Sequence, residues 1–296
     1  MIRRIVPLGF DSFGVRSMAT YVETDDVKVI LDPGVSLAPL RYGLEPHYLE
    51  LQRMDEVWSD IRKYSSEADV LIVTHYHYDH HDPDYPEIYE GKLVLIKDPN
   101  ENINFSQRRR ASYFLSRISG FAGRISVADG NSFRFGDTLI SFSKAVFHGT
   151  NSRLGFVVEV SVRSGGEVFL YTSDVEGPSV EGQVEFILAE KPNILFVDGP
   201  MTYMLGYRYS NRSLEASIEN IIRVLSLRCV ETLVLDHHLL RDLRYRERIS
   251  RVYEVAEEFN CRVVTAAEFS GRSIEMLEAH RKDLYEKYGG WEELRG

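Results

Sequence analysis

The chain of 296 residues contains only two cysteines, which excludes a small fold held by a disulfide framework. Cys229 and Cys261 each lie just ahead of a predicted strand, and they could form one bridge if those strands were parallel neighbours. Intracellular disulfides of this kind occur in hyperthermophiles, and the scarcity of glutamine points the same way. Two separate thiols are the preferred interpretation, and their pairing stays open.

Long apolar runs are also missing. None approaches the roughly 20 residues that a transmembrane helix requires, so we expect no membrane association. The start of the chain is basic, but the apolar stretch that follows reaches Asp11 too soon for a secretory signal, and we expect a cytoplasmic protein. An excess of positive charge is absent too. The formal net charge of −10 argues against a general nucleic-acid coat protein and leaves a local basic patch open.

The chain lacks low-complexity tracts and linkers rich in Gly, Ser or Pro, and we predict a single domain over residues 1–296. Strand-like runs occur at 2–7, 19–23, 27–31, 70–73, 93–96, 138–146, 156–162, 167–171, 194–197, 230–235 and 263–265. Helical patterns occur at 48–64, 107–119, 214–225, 244–258 and 274–288. This mixture predicts an α/β fold in which two mixed β-sheets pack face to face with helices outside.

Three imidazoles and a carboxylate are concentrated in six positions after the short apolar run 70–73. That run is typical of a strand buried on both faces. His75 and His77 lie two residues apart, so in an extended turn their rings project to the same side. Asp79 and His80 follow as the chain turns back. Four ligand-type residues in six positions is dense for a chain with nine histidines, and the pattern predicts a metal site rather than a solvated loop.

The motif His75-x-His77-x-Asp79-His80 resembles the signature of the metallo-β-lactamase superfamily of metal-dependent hydrolases. The other elements of that superfamily's site follow in the expected order, each after a predicted strand: Asp32, His148, Asp174 and His237. The resemblance covers residues 27 to 238 and implies a four-layer αββα sandwich with metals at the seam of two similar halves. It points to an archaeal branch of the superfamily. It indicates the type of reaction, metal-dependent hydrolysis, but does not identify a substrate.

The resemblance implies two metal ions. One would be bound by His75, His77 and His148, and the second by Asp79, His80 and His237, with Asp174 bridging both; Asp79 and Asp174 are also our candidate catalytic residues. Imidazole and carboxylate ligands suit two Zn²⁺ ions, with Mn²⁺ or Fe²⁺ as alternatives. Two ions about 3.5–4 Å apart can hold a shared hydroxide, since metal binding lowers the pKa of water from ~15.7 toward ~7.

Three further residues are candidates for supporting or alternative ligands. Asp32 either orients an imidazole through its free N–H or is an ordinary aspartate at a strand end. His238 competes with His237 for the last ligand position, and we favour His237 because it comes directly off the predicted strand. His81 either approaches the second metal ion or is exposed.

Arginine and tyrosine mark the expected substrate-binding regions. Arg241 and Arg244 lie on a predicted helix that leaves the metal site, and guanidinium groups suit phosphate; a solvated face paired with acidic residues is the alternative. Tyr207 and Arg208 lie in a loop that could stack a base or sugar, or pack in a homodimer interface. The basic run 108–110 opens a predicted helix, where positive charge opposes the helix dipole and hints at a bound anion. Solvated surface, the commoner role of such runs, is the alternative.

These features leave three functions open. The first is a phosphodiester hydrolase acting on a nucleic acid or nucleotide, which the arginines favour. The second is a hydrolase of carboxylic esters, lactones or thioesters, which would be indifferent to the arginines. The third is a non-catalytic metal-binding module with a closed substrate path. We expect a hydrolase, with a phosphoester substrate preferred over a carbon ester.

Overall fold

The computed structural model of the protein describes residues 1–290; the last six residues of the predicted domain, 291–296, lie outside the described residues. The strands are β1 (Ile2–Pro7), β2 (Thr20–Thr24), β3 (Lys28–Leu31), β4 (Val70–Val73), β5 (Leu93–Ile96), β6 (Arg124–Val127), β7 (Ser132–Phe135), β8 (Thr138–Phe142), β9 (Val146–Phe147), β10 (Phe156–Val157), β11 (Val160–Ser164), β12 (Glu167–Tyr171), β13 (Ile194–Asp198), β14 (Thr232–Asp236) and β15 (Arg262–Val264). The helices are α1 (Tyr48–Glu67), α2 (Phe105–Ile118), α3 (Glu185–Glu190), α4 (Asn211–Leu225), α5 (Tyr245–Arg248), α6 (Ser250–Glu258), α7 (Ala266–Phe269) and α8 (Arg281–Tyr288).

The strands form two large mixed sheets. The first has the order β1-β2-β3-β4-β5-β6, and the second has the order β15-β14-β13-β12-β11-β8-β7. In the first sheet β3 to β6 run parallel, and in the second β12 to β15 run parallel. β9 and β10 form a separate antiparallel pair. The carboxyl ends of several parallel strands therefore lie at one edge of each sheet, where side chains from distant segments can meet.

Three apolar cores define the layers. One lies between the sheets and joins first-sheet residues such as Ile72 to second-sheet residues such as Phe196. A second packs α1 and α2 on the outer face of the first sheet, and a third packs α3, α4 and α6 on the outer face of the second. The predicted αββα sandwich is thereby confirmed. Among the helices within residues 1–290, none has the length and apolar character needed to cross a membrane.

The site-bearing strand β4 shows why its sequence is apolar at every position. Val70 and Ile72 point into the core between the sheets, while Leu71 and Val73 point into the core beneath α1 and α2. All four are buried because both faces of the strand are covered. The histidine motif begins directly after this strand, so its starting position is fixed by the packing of β4.

Several predicted elements differ from the structure. The helix predicted over 244–258 is two helices, because the backbone at Ile249 leaves the helical region with φ −121° and ψ 27°. The helix predicted over 274–288 begins only at Arg281, and the strand predicted over 138–146 divides into β8 and β9. β6 and β7 were missed because they are four-residue edge strands with half-exposed sequences. The two-residue link from β7 to β8 starts at Gly136 and is a hairpin signal that the sequence contained.

The two cysteines lie ahead of neighbouring parallel strands, as the bridge hypothesis required, because β14 pairs with β15. The structure nevertheless contains both as free thiols, with Cys261 buried and Cys229 partly exposed. The preferred sequence interpretation, two unconnected thiols, agrees with this arrangement.

Candidate metal centre

Strand ends from both sheets position the candidate site. The residues that converge there come after β3 (Asp32), after β4 (His75, His77, Asp79 and His80), after β9 (His148), after β12 (Asp174) and after β14 (His237). Each of these segments starts from a strand whose register is fixed by pairing within the sheet. The side chains therefore project from rigid elements, although the first and last of them, Asp32 and His237, are 205 positions apart in the chain.

The backbone is strained at three of these strand ends. Asp32, Ser173 and His237 have φ values of 48°, 57° and 56°, in the left-handed region that ordinary residues rarely adopt. Asp32 and His237 directly follow β3 and β14, and Ser173 lies two residues after the end of β12. Strain of this kind costs of order 1–3 kcal/mol per residue and persists only where surrounding contacts enforce it. Its recurrence at one edge marks this edge as a functional region.

The first donor set consists of His75, His77, His148 and Asp174, whose ligand atoms all lie within 4.8 Å of one another. The Oδ2 atom of Asp174 is 3.3 Å from His148 Nε2 and 3.6 Å from His75 Nε2. His148 Nε2 also lies 3.1 Å from His77 Nδ1. Three ring nitrogens and one carboxylate oxygen thus face a common point, as four-coordinate zinc requires.

The second donor set consists of Asp79, His80, Asp174 and His237, again within 4.8 Å. Here the other oxygen of Asp174, Oδ1, is 2.9 Å from His80 Nε2 and 3.2 Å from His237 Nε2. The His237 Nε2 atom lies 3.8 Å from Asp79 Oδ2. The two sets are therefore joined by one carboxylate that presents a different oxygen to each.

Unpaired buried atoms test whether metal ions fit this arrangement. His75 Nε2, His80 Nε2 and Asp174 Oδ1 are buried and have no hydrogen-bond partner within residues 1–290. His80 Nε2 and Asp174 Oδ1 are close, at 2.9 Å, but they do not meet in hydrogen-bonding geometry. Buried polar atoms left without partners are costly, and coordination of a cation removes that cost. The donor chemistry and the unpaired atoms both fit bound metal ions.

The electrostatics of the two sets differ. Burial lowers the pKa of His77 to about 3 and that of His75 well below its ordinary value, so both rings are neutral and keep a lone pair for a metal. Burial opposes protonation of His80 as well, but the charges of Asp174 and Asp32 raise its pKa to about 10. Burial raises the pKa of Asp174, yet the charges of His80 and His237 hold it well below the ordinary range. Asp174 is therefore ionised at neutral pH.

Asp32 orients His80. Its Oδ2 atom is 2.8 Å from His80 Nδ1 and also accepts hydrogen bonds from Thr74 Oγ1 at 2.6 Å and from the Tyr171 hydroxyl at 2.7 Å. Its other oxygen accepts the backbone N–H of Thr74 at 2.8 Å. With Nδ1 engaged by the carboxylate, His80 Nε2 is the nitrogen turned toward the second donor set. The contact of Asp32 Oδ2 with His80 Nδ1 is the one that an imidazole-orienting role of Asp32 requires.

The two adjacent histidines at the end of β14 point in different directions. His237 belongs to the second donor set, and its Nδ1 lies 2.7 Å from Asp11 Oδ2. The ring of His238 instead lies with Nδ1 3.0 Å from both oxygens of Asp198, the last residue of β13. His238, Asp198 and Asp174 also lie within 4.8 Å of one another, so His238 borders the site without joining either main set. This geometry favours His237 as the ligand.

His81 lies behind the motif rather than in it. Its ring is buried with centroid distances of 4.7 Å to Phe114 and 5.9 Å to Tyr76, and neither ring nitrogen has a partner within residues 1–290. Burial lowers its pKa to about 3, so the ring is neutral. No donor set found among the described residues includes it. The structure gives His81 a packing position under α2.

The four predicted substrate-binding residues lie in different surroundings. Arg241 is buried, and its Nε donates to Asp11 Oδ1 at 2.7 Å, so its charge supports the carboxylate that holds His237. Arg244 is 64% exposed and pairs with Glu247, the solvated arrangement that we considered as its alternative. Tyr207 and Arg208 line a cleft of about 190 Å³ together with His148. Of the four, only these last two share a cleft with a metal-ligand candidate.

Sequence reasoning missed several residues that support the site. Asp11 and Asp198 hold the two histidines after β14, and Tyr171 donates to Asp32. Glu176 lies 3.7 Å from His148 Nδ1, and Arg153 lines the same cleft as His148. The sequence contained a signal for Asp198, because this residue is at the end of a buried apolar strand, as the candidate ligands are. Asp11 begins a short 3-10 turn, separated from the end of β1 by residues 8–10, and its sequence offers no comparable signal.

Solved structures share this architecture. The isothiocyanate hydrolase from Delia radicum gut bacteria superposes with a TM-score of 0.53 at 16% identity, covering 84% of this chain and 94% of that chain. The metallo-beta-lactamase fold protein YhfI from Bacillus subtilis has a TM-score of 0.51 at 12% identity, covering 92% of this chain and 96% of that chain. CmlA, a diiron beta-hydroxylase from Streptomyces venezuelae, has a TM-score of 0.51 at 10% identity, covering 87% of this chain and 51% of that chain. At these identities the similarity shows the fold alone. The protein has the metallo-β-lactamase fold, and the sequence resemblance is confirmed.

Sequence relatives give the family. The chain belongs to the UPF0282 proteins: it is 58% identical over 286 residues to the UPF0282 protein of Korarchaeum cryptofilum, covering 96% of this chain and 95% of that protein. It is 49% identical to the relative from Metallosphaera sedula (covering 95% and 92%) and 45% identical to that from Sulfurisphaera tokodaii (covering 96% and 93%). No family model matches the chain. These relatives are archaeal, as the resemblance had indicated.

Proposed function

We propose that this protein is a metal-dependent hydrolase that cleaves a phosphodiester. One observation carries the proposal: the two oxygens of Asp174 face two separate sets of imidazoles, with Oδ2 toward His75 and His148 and Oδ1 toward His80 and His237. A buried carboxylate shared in this way is suited to bridging two cations. If these side chains only stabilised the fold, their buried donor atoms would not need to remain unpaired, and the centre would not need to adjoin a cleft.

The chain's own donors define which cations suit the centre. His75, His77 and His148 would hold one ion, and Asp79, His80 and His237 the other, with Asp174 between them. Such a mixture of imidazole and carboxylate favours Zn²⁺, with Mn²⁺ or Fe²⁺ as alternatives. When bound, two such ions supply Lewis acidity and lower the pKa of water, so no serine or cysteine nucleophile is needed.

The surroundings of His148 favour an anionic substrate. The cleft that contains His148 is lined by two cationic side chains, Arg153 and Arg208, and by Asn151 and Tyr207. Its one carboxylate, Glu176, is buried and lies 3.7 Å from His148 Nδ1, so the two guanidinium groups outnumber it. Guanidinium groups at the entrance would bind the non-bridging oxygens of a phosphodiester and orient it toward the donor sets. A carbon ester would make no use of this charge.

The decisive experiment combines elemental analysis with an ester screen on the same preparation. We expect about two equivalents of metal per chain and hydrolysis of bis-p-nitrophenyl phosphate that is lost on treatment with a chelator. Hydrolysis of a lactone or thioester, with the phosphodiester left intact, would instead identify a carbon-ester hydrolase. A protein that retains two metal ions and is inert toward the whole panel would be a metal-binding module.

A matched pair of variants links activity to the centre. His148→Ala removes a donor of the first set, and we expect metal content to fall by about one equivalent and hydrolysis by at least 100-fold, since the missing ion would stabilise the transition state. His280→Ala is the control, because the His280 side chain is 43% exposed and pairs with Asp283 on α8, far in sequence from both donor sets. Equal losses in both variants would contradict the assignment.

A further inference from the structure

A second cleft lies beside the histidine motif. It encloses about 480 Å³ and is lined by Tyr78, Phe105, Ser106, Arg109, Arg110 and Tyr113. Five of these residues belong to α2, and the sixth, Tyr78, lies between His77 and Asp79 of the motif. The cleft therefore adjoins the metal centre along the chain itself. None of the side chains assigned to metal binding or to the His148 cleft is among its lining residues.

Aromatic rings form an exposed row in this cleft. Phe105 and Tyr113 are eight residues apart on α2, with Arg109 midway, so the three lie on one face of the helix over about 12 Å. Phe105 is 76% exposed, Tyr78 46% and Tyr113 45%. A phenylalanine with three quarters of its surface in water gains little from the fold. Its exposure is accounted for if a planar ligand covers it.

The charge of the cleft is unusual for this acidic chain. Neither Arg109 nor Arg110 pairs with a carboxylate within residues 1–290, whereas Arg223, Arg244 and Arg251 on the second-sheet side all do. The two guanidinium groups instead lie over aromatic rings, with Arg109 6.0 Å from the centre of Phe105 and Arg110 5.2 Å from that of Tyr78. No carboxylate is among the lining residues. Both cations remain available to an anion.

The cleft and the metal centre are joined by the histidine motif. The ring of Tyr78 lies 5.2 Å from the guanidinium carbon of Arg110, and Tyr78 stands in the chain between His77 of the first donor set and Asp79 of the second. A strand bound across Arg109 and Arg110 would therefore lie beside the segment that carries these two donors.

We propose that this cleft binds a single-stranded nucleic acid, with bases stacked on Phe105, Tyr113 and Tyr78 and backbone phosphates paired with Arg109 and Arg110. Stacking platforms combined with unpaired cations are the chemistry by which proteins bind single strands without reading sequence. A duplex cannot present its bases to these rings, and a mononucleotide would occupy only part of the 12 Å row. The inference deepens the proposed function, because it names the polymer whose phosphodiester would enter the centre.

The test measures binding separately from cleavage. Fluorescence anisotropy of the full-length protein with a labelled dT12 or rU12 strand, in the presence of EDTA to prevent hydrolysis, should show saturable binding at low salt. We expect the same sequence as a duplex to bind at least tenfold more weakly. Comparison of dT12 with rU12 distinguishes DNA from RNA as the source of the strand. A duplex that binds as tightly as the single strand would overturn the proposal.

Variants assign the parts of the cleft. Arg109→Ala combined with Arg110→Ala should weaken binding of dT12 or rU12 about tenfold or more and reduce the slope of log K against log salt by about one to two. Phe105→Ala should weaken binding roughly tenfold and leave that slope unchanged, because stacking is not ionic. Arg134→Ala on the edge strand β7 is the matched control, since Arg134 is exposed and forms no ion pair within residues 1–290. Equal effects of Arg134→Ala and the double variant would contradict the assignment.

Two outcomes separate this inference from the proposed function. Hydrolysis of bis-p-nitrophenyl phosphate by a protein that binds neither oligonucleotide would refute the cleft and leave the hydrolase standing. Tight, Phe105-dependent binding by a protein inert toward every ester would support the cleft and refute the hydrolase. If the wild-type protein sediments as a dimer, Phe105→Ala as a monomer, and neither binds an oligonucleotide, the cleft is a contact between copies and the proposal is wrong.

Discussion

The Oδ2 atom of Asp32 lies 2.8 Å from Nδ1 of His80, and this contact fixes which nitrogen of the ring faces the second donor set. The carboxylate is itself held by Thr74 and Tyr171, so its position is set by three different segments of the chain. A ligand held from behind in this way binds metal more tightly than a free imidazole. The relationship leads to the first of four predictions.

Asp32→Asn should weaken binding of the second metal ion about 10- to 100-fold, because the amide removes the charge that orients His80 and keeps the side-chain shape. Metal affinity can be measured by competition with a chromogenic chelator. Asp84→Asn is the control, since Asp84 is an exposed residue outside both donor sets. An Asp32→Asn protein with unchanged affinity at both sites would show that the contact is only structural.

The two histidines after β14 should behave differently on removal. His237→Ala deletes a donor of the second set, so we expect about one metal equivalent instead of two by elemental analysis. His238→Ala removes a ring that is held by Asp198, and we expect metal content to stay near two equivalents. Loss of metal from the His238 variant, with full occupancy in the His237 variant, would reverse the ligand assignment.

Arg241→Met should destabilise the fold by roughly 3 kcal/mol, because it leaves the buried carboxylate of Asp11 without its permanently charged guanidinium partner. The measurement is the free energy of unfolding in urea. Arg244→Met should change that free energy by no more than about 0.5 kcal/mol, since its ion pair with Glu247 is exposed. Equal effects of the two substitutions would indicate that Arg241 does not support the site through Asp11.

Acid should weaken the contact of Glu278, in the segment before α8, with Arg16 in the loop between β1 and β2. Burial raises the pKa of Glu278, but hydrogen bonds from Arg16 and its charge lower it to about 2 from an ordinary 4.5. A lowered folded-state pKa means that the stabilisation is fully present above pH 4.5 and is lost as the pH falls toward 2. The ionisation of Glu278 therefore contributes at most roughly 3 kcal/mol to the free energy of unfolding, because each unit of lowered pKa corresponds to about 1.4 kcal/mol.

Glu278→Gln removes this titration. The difference in free energy of unfolding between wild type and variant should shrink as the pH is lowered from 5 to 3, measured by urea denaturation at each pH. Glu247→Gln, at a 66% exposed side chain, serves as the control and should show little change over the same range. A difference for Glu278→Gln that stays constant with pH would contradict the contribution assigned to its ionisation.

The strands that carry the site were predictable because their patterns are local. Val70 to Val73 is apolar at every position, as a strand covered on both faces must be, and the histidines follow at once. The helix breaks at Ile249 and the late start of α8 were not predictable, because local propensity is continuous there and tertiary packing ends the helix. The short edge strands β6 and β7 lacked a strong pattern because water covers much of their surface.

The donor residues themselves were indicated by type, spacing and order along the chain, and the fold that they implied is confirmed. Their partners were not: Asp11 reaches His237 across 226 positions, and Asp198 reaches His238 from the neighbouring strand. The direction in which each of two adjacent histidines points depends on which carboxylate lies behind it. Asp198 is placed by the pairing of β13 with β14, and Asp11 by its 3-10 turn lying against the end of β14. No local pattern encodes either placement.

The residue patterns by themselves determined two sheets with helices outside and strand ends that bear ligand-type residues, because periodicity and residue chemistry are properties of short segments. The resemblance to the metallo-β-lactamase superfamily implied the four-layer αββα arrangement and the full set of ligands. Only the tertiary structure decided that Asp174 offers one oxygen to each imidazole set and that Arg241 forms an ion pair with Asp11. Only the tertiary structure also placed Tyr78 in one cleft with the exposed face of α2. These are contacts between segments far apart in the chain. They exist only once burial of the cores brings the strand ends to one edge.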